Sequence, residues 1–225
     1  GFGDSAWDPN GYWFPDYLAD LEALLAEFSP GVPVPVVGHS MGGNVACLYA
    51  GIRPGRVSHL VSLDTAGLKD THADEAPARY ARWLGQLRDP ATFSSFADQT
   101  AAMALVLKLA PEMDTAKADF LAQQGTHLGA DQQLHLPHDP RHKHVNPVLY
   151  RRDEARACWR QITAPALLVL AREGQTFKQW EDGLRADMTG CIRHLRVEKL
   201  DCGHMVHLEK PEELAELLNS FLSAG

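Results

Sequence analysis

The stretch Gly38-His39-Ser40-Met41-Gly42-Gly43 constrains the fold of this chain more than any other feature of its sequence. The preceding run, Val34-Pro35-Val36-Val37, is short and β-branched, which predicts a buried strand, although Pro35 cannot donate to a central ladder. The small, apolar residues 42–50 predict a helix packed close to a sheet, and residues 57–64 predict a second strand. A strand–helix–strand unit of this length requires a parallel sheet with a right-handed crossover.

The same alternation of strands and helices continues on both sides of a long interruption. Residues 166–170 and 192–197 predict two further strands. The pattern of apolar residues predicts helices over 15–28, 177–188 and 211–222. In the interruption, three segments are typical of helices and no strand stands out; they are 76–87, 93–109 and 115–124. We therefore expect an α/β fold, a parallel sheet flanked by helices, with a helical cap inserted into it.

This reading divides the chain into three parts. Residues 1–67 form the first part of the core, residues 68–157 the cap, and residues 158–225 the second part of the core.

Composition excludes several classes of protein. Of 225 residues, 45% are hydrophobic and 22% charged, which is typical of a globular chain. The 29 acidic residues outnumber the 21 Lys and Arg, so no overall positive field exists to bind nucleic acid. No apolar run approaches the ~20 residues that span a bilayer, and Gly1–Ser5 does not resemble a signal peptide, so we expect no membrane association. The four scattered cysteines lack CxxC spacing, which favours a reducing, cytoplasmic location.

The glycine-rich stretch fits G-x-S-x-G between a strand and a helix, where this pattern has a mechanical meaning. Ser40 would occupy a sharp, strained turn that exposes its hydroxyl above the sheet edge, and Gly38 and Gly42 would leave room for that turn. The N–H of Met41, at the start of the helix, is a candidate oxyanion-hole donor. Ser40 is therefore the candidate nucleophile.

A serine hydroxyl needs a base, and the base needs an orienting acid. His204 is the preferred base because it follows the last strand and precedes the final helix; His207 is the competitor. Asp64 ends the strand after the serine turn, and Glu173 follows the next strand, so either could reach the base. Asp64 is preferred because a short side chain at a strand end needs no long, flexible reach.

Taken together, these motifs resemble the α/β-hydrolase superfamily along the whole chain. Gly1-Phe2-Gly3-Asp4-Ser5 resembles the turn after the family's fourth strand, residues 38–43 its nucleophile elbow, and residues 203–211 its GHxxHxxxP ending. More narrowly, residues 139–143 and 146–151, with Trp159, resemble the end of the cap in bacterial serine-hydrolase-like proteins. In those proteins an acid follows the sixth strand, which is the position of Asp64.

The resemblance also has two departures. The family's usual acid turn after the seventh strand, Gly-x-x-Asp, reads Ala171-Arg172-Glu173-Gly174 here, which again favours Asp64. The family's first four strands, and the His-Gly loop that supplies a second oxyanion donor, have no counterpart, so the resemblance implies an N-terminally truncated core. Loss of one such donor can cost about 10²- to 10³-fold in rate.

Two weaker signals lie in the expected cap. His135, His138, His142 and His144, near Asp139, look like metal ligands, but their irregular, proline-broken spacing predicts a structural loop and no metal. The apolar segment 103–109 predicts cap core, and residues of this kind commonly line acyl pockets. The candidate substrate-binding residues are therefore His39, Met103 and Leu107.

The sequence thus predicts a cofactor-free serine hydrolase that cleaves a carboxylic ester or a similar small acyl substrate. Thioester hydrolysis, carbon–carbon bond hydrolysis and acyl transfer remain open, because a fold does not fix a substrate. A different class also remains open: a catalytically impaired, truncated homologue, or a small-molecule binding protein. The oligomeric state is left open.

Overall fold

A computed structural model of the chain describes residues 1–9, 11–89, 92, 95–179 and 185–223. Contacts between residues divide it into two units, one formed by 14–71 with 150–225 and the other by 1–13 with 72–149. The strands are β1 (Val34–His39), β2 (Val57–Leu63), β3 (His127–Leu128), β4 (Leu134–His135), β5 (Ala166–Ala171) and β6 (Leu195–Leu200). The helices are α1 (Phe14–Phe28), α2 (Met41–Ile52), α3 (Ala76–Arg88), α4 (Gln99–Leu109), α5 (Thr115–Gln124), α6 (Arg152–Trp159), α7 (Gln175–Gln179), α8 (Arg185–Cys191), α9 (Val206–Glu209) and α10 (Pro211–Leu222).

The larger unit is built on a four-stranded parallel sheet in the order β1-β2-β5-β6. Every residue of β5 is buried, because helices cover both faces of the sheet. On one face Leu168 packs in a cluster with Trp159 and Tyr49; on the other, Leu167 packs with Phe221 of α10. The α/β fold with a parallel sheet and flanking helices is confirmed. The site described below lies at the carboxyl ends of these strands.

Several boundaries differ from those expected. The last strand runs over Leu195–Leu200, three residues later than predicted. The helix predicted over 177–188 is described as α7 and α8, with 180–184 outside the described residues. Pro35 lies in β1, an edge strand of the described sheet, beside an irregularity in the register with β2. At an edge, a missing N–H removes no ladder bond on the outer side.

The smaller unit contains α3, α4 and α5. It also contains a two-residue antiparallel pair, β3 with β4, which the sequence did not predict because each strand is too short to show a pattern. Helix α4 begins at Gln99, six residues later than predicted, because the Asp98 carboxylate caps it by accepting the Ala101 N–H. Residues 93 and 94 of that predicted helix lie outside the described residues.

In the parts of the chain that the structure describes, no helix has both the length and the apolar character needed to cross a bilayer.

Candidate active site

The turn between β1 and α2 holds Ser40 in a backbone conformation that residues with a side chain rarely adopt, with φ 53° and ψ −119°. Such a conformation costs about 1–3 kcal/mol and persists only where the surroundings fix it. Here the Ser40 N–H donates to the Leu63 carbonyl on β2 at 3.0 Å. The Ser40 carbonyl accepts the N–H groups of Gly43 and Asn44, at 3.0 and 3.2 Å. The serine is therefore anchored to both the sheet and the helix.

Close packing around the turn requires two glycines, and one of them is not the residue expected. A Cβ on Gly38 would lie 2.3 Å from the Gly42 carbonyl oxygen, so this glycine is needed, as predicted. A Cβ on Gly42, by contrast, would meet no atom within 4 Å, so the expectation that Gly42 leaves room for the turn is wrong. The space is needed instead at Gly43, where a Cβ would lie 2.3 Å from Thr65 Cγ2.

Three side chains meet at the carboxyl ends of β1, β2 and β6. The Ser40 hydroxyl lies 2.9 Å from His204 Nε2, and His204 Nδ1 lies 2.6 Å from Asp64 Oδ2. Because a carboxylate can only accept, His204 Nδ1–H donates to Asp64, which leaves Nε2 as the acceptor for the serine hydroxyl. The three side chains therefore form one hydrogen-bonded chain, from the Ser40 hydroxyl through the His204 ring to the Asp64 carboxylate.

Asp64 is fully buried and is itself a residue with a positive φ, 45°. A buried carboxylate is tolerated when hydrogen bonds satisfy it. Its Oδ1 accepts the Ala171 N–H at 3.0 Å, while Oδ2 accepts from His204. Its backbone is fixed as well, since its N–H donates to the Val169 carbonyl at 2.7 Å and its carbonyl accepts the Thr176 hydroxyl at 2.9 Å. These bonds hold the carboxylate in one orientation.

Glu173 and His207, the alternative candidates for the acid and the base, do not contact Ser40 in this way. Glu173 is exposed, and its backbone N–H donates to the Cys202 carbonyl. The neighbouring Arg172 pairs with Asp201 at 2.8 Å. His207, on α9, packs its ring edge-on against His39, with 4.7 Å between the ring centroids. The structure thus brings Asp64 and His204 to Ser40, and it places the other two candidates elsewhere.

The loop that carries His204 is held from two sides by residues that the sequence did not assign to this task. Glu209 Oε2 accepts the Gly203 N–H at 2.9 Å. His39 Nε2 lies 2.8 Å from the His204 carbonyl oxygen, and the two rings are 4.7 Å apart. Burial lowers the pKa of His39 and outweighs the hydrogen bond to the His204 backbone, which raises it, so the neutral ring is favoured. The only sequence signal for His39 was its position next to Ser40.

The remaining candidates lie as follows. Met41 is the first residue of α2, where backbone N–H groups have no partner within the helix. Met103 and Leu107 lie on α4 in the smaller unit, where both are partly buried. Their roles as oxyanion donor and as substrate-binding residues stay predictions.

The histidines of residues 135–144 make separate contacts. His135 pairs with Asp131 at 3.0 Å, and the His142 ring stacks on Tyr12 at 3.7 Å. Asp139, which is buried, binds Arg141 at 2.8 Å and accepts the Tyr12 hydroxyl at 2.9 Å. In the described residues, no three or more His, Cys, Asp or Glu side chains group so as to hold a metal ion.

The parallel sheet, the strained serine turn and the Ser–His–Asp arrangement together define a class of hydrolase. The chain belongs to the α/β-hydrolase fold family, whose model matches residues 1–211.

Among curated proteins, the chain is similar to a serine hydrolase-like protein of Danio rerio, with 25% identity over 99% of this chain and 71% of that protein. It is also similar to a monoacylglycerol lipase, abhd6-A, of Xenopus laevis, with 27% identity over 84% of this chain. The chain spans about half of that lipase, 54% of its length.

Solved structures agree on the fold. A hypothetical protein of Pseudomonas aeruginosa matches 99% of this chain with a TM-score of 0.84 and 24% identity, and 79% of that protein is covered. An esterase of Mycobacterium tuberculosis matches all of this chain and 74% of its own, with a TM-score of 0.76 and 22% identity.

Proposed function

We propose that this protein hydrolyses carboxylic esters through an acyl-enzyme on Ser40. The observation that carries the proposal is the unbroken hydrogen-bonded chain from the Ser40 hydroxyl through His204 to the buried Asp64. The names of the relatives, which include an esterase and monoacylglycerol lipases, support an ester over the other acyl compounds.

The first half of the reaction forms the acyl-enzyme. Ser40 Oγ attacks the ester carbonyl carbon while its proton passes to His204 Nε2. The carbonyl oxygen becomes an oxyanion, to which the Met41 N–H donates from the start of α2. When the tetrahedral intermediate collapses, the carbon–oxygen bond to the alcohol breaks, and His204 returns the proton to the departing alcohol.

The second half regenerates the serine. A water molecule gives one proton to His204 Nε2 and attacks the acyl carbon; collapse then releases the carboxylic acid and returns the proton to Ser40 Oγ. In both halves His204 carries a positive charge for part of the step. Asp64 stabilises that charge and keeps the ring in the tautomer that presents a basic Nε2.

The proposal is tested with p-nitrophenyl butyrate and the variant Ser40→Ala. Because the alanine has no nucleophile, we expect kcat to fall at least ~10³-fold. The matched control is Ser29→Ala, which removes an exposed hydroxyl that donates to the Val32 carbonyl after α1, and which should keep the parent rate.

Two results would contradict the proposal. If Ser40→Ala retains a rate within tenfold of the parent, Ser40 is not the nucleophile. If the parent neither hydrolyses the ester nor reacts with a fluorophosphonate, the chain is a binding protein or an impaired homologue instead.

A further inference from the structure

His39 links the nucleophile turn directly to the loop that carries the base. Its Nε2 lies 2.8 Å from the backbone oxygen of His204, and its ring packs 4.7 Å from the His204 ring. A carbonyl oxygen can only accept, so the bond requires a proton on His39 Nε2. His39 is covalently joined to Ser40, and Ser40 Oγ lies 2.9 Å from His204 Nε2. His39, Ser40 and His204 therefore form a closed set of contacts.

This closed set of contacts restrains the distance between Ser40 Oγ and His204 Nε2, on which proton transfer depends. The side chain of His204 is 43% exposed, so packing against its ring restrains it only in part. Its Nδ1 side is held by the buried Asp64, and the backbone before it is held by the Glu209 carboxylate through the Gly203 N–H. The hydrogen bond from His39 restrains the backbone on the other side of the His204 Cα. Without the hydrogen bond from His39, the carbonyl of His204 loses its side-chain partner on β1.

The surroundings of His39 suit a neutral donor. The ring lies close to two other imidazoles, His204 and His207, each with its centroid 4.7 Å away. A positive charge on His39 would sit beside His204 at the moment when that ring takes the serine proton, and like charges at this distance disfavour each other. A neutral ring with its proton on Nε2 supplies the hydrogen bond without that repulsion.

We propose that His39 is a positioning residue for the base: its Nε2–H bond to the His204 carbonyl holds the imidazole of His204 in line with Ser40. This inference rests on the proposed function, because it assigns to His204 the role of base. It differs from the sequence expectation that His39 binds substrate, since the Nε2–H that would contact a substrate is committed to the protein backbone.

The test compares two amide variants that differ in reach. In His39→Gln the side-chain nitrogen comes close to the position of the histidine Nε2, so the bond to the His204 carbonyl can form again. In His39→Asn the amide ends near the position of Nδ1 and falls short. Each variant is assayed for p-nitrophenyl butyrate hydrolysis and for the rate constant of inactivation by a fluorophosphonate, and its Tm is measured so that rates are compared well below unfolding.

We expect His39→Asn to lower both kcat and the inactivation rate constant by about 10- to 10²-fold, the size of effect that a misplaced catalytic group produces. KM should change less than about twofold, and His39→Gln should lie within about threefold of the parent in both rates. A rise in KM with kcat unchanged would show that His39 binds substrate instead. Equal losses in both variants would show that the ring is needed for packing and not for its hydrogen bond.

The inactivation rate separates this inference from the proposed function. If the parent does not react with the fluorophosphonate at Ser40, the proposed function fails and the role of His39 falls with it. If the parent reacts and His39→Asn reacts equally fast, the nucleophile stands and only the positioning role is overturned.

Discussion

Gly174 packs against the acid of the site, and its replacement by alanine should reduce activity without removing any reacting group. A Cβ on Gly174 would lie 2.6 Å from Asp64 Oδ2, the oxygen that accepts the His204 Nδ1–H bond. Ordinary contact begins near 3.4 Å, so a shift of about 0.8 Å is required. The carboxylate cannot swing away freely, because its Oδ1 is bound to the Ala171 N–H and Asp64 is fully buried.

The expected loss follows from that displacement. Misplacement of a catalytic group by about 1 Å can cost ~10²-fold in rate, and complete loss of a triad acid costs ~10⁴-fold. We therefore expect Gly174→Ala to lower kcat for p-nitrophenyl butyrate by about 10- to 10²-fold, which is about 1.4–2.7 kcal/mol in activation free energy.

The control is Gly190→Ala, in α8, where a Cβ would meet no atom within 4 Å. It should keep the parent rate and, because alanine favours helices, should not lower the Tm. If Gly174→Ala retains kcat within twofold of the parent, the carboxylate is not held as described.

Two further predictions concern the acid and the pH dependence of stability. Asp64→Asn should lower kcat by about 10² to 10⁴, because an amide can donate to His204 Nδ1 and so favours the wrong tautomer, whereas Glu173→Gln should change it little; the opposite order would give the role to Glu173. Burial against Phe2 and Tyr12 lowers the pKa of His142 from 6.5 to about 4. The unfolded chain therefore binds a proton on His142 more tightly than the folded chain does. The contribution of His142 to stability consequently falls as the pH drops from 6.5 to about 4. Between pH 7.5 and 5 the parent should therefore lose roughly 2–4 °C more in Tm than His142→Phe, the shift that about 1 kcal/mol produces, and an equal loss in both would contradict this account.

The sequence predicted the larger unit well where local pattern and tertiary environment agree. Residues 57–64 and 166–170 are apolar runs buried on both faces, and the structure has strands over Val57–Leu63 and Ala166–Ala171. Pro211 and the acidic residues after it mark the start of α10 as expected. The proximity of Ser40, His204 and Asp64 could be predicted because each lies at the end of a strand or in the loop after one, where parallel sheets gather functional side chains.

The sequence could not predict contacts that depend on distances between remote residues. Nothing local distinguishes Gly43, which must pass close to Thr65, from Gly42, which faces open space. The bond between His39 and the His204 carbonyl joins residues 165 positions apart, and periodicity carries no information about it. The pair of β3 and β4 was missed for a different reason: two residues per strand are too few to show alternation.

Whether Ser40 is the nucleophile is tested by locating the fluorophosphonate adduct with peptide mapping and mass spectrometry. We predict one adduct on Ser40 in the parent and in Ser29→Ala, none at that position in Ser40→Ala, and slow formation in Asp64→Asn. An adduct on another serine, or a parent that stays unlabelled while it hydrolyses p-nitrophenyl butyrate, would contradict the claim that Ser40 is the nucleophile activated by His204 and Asp64.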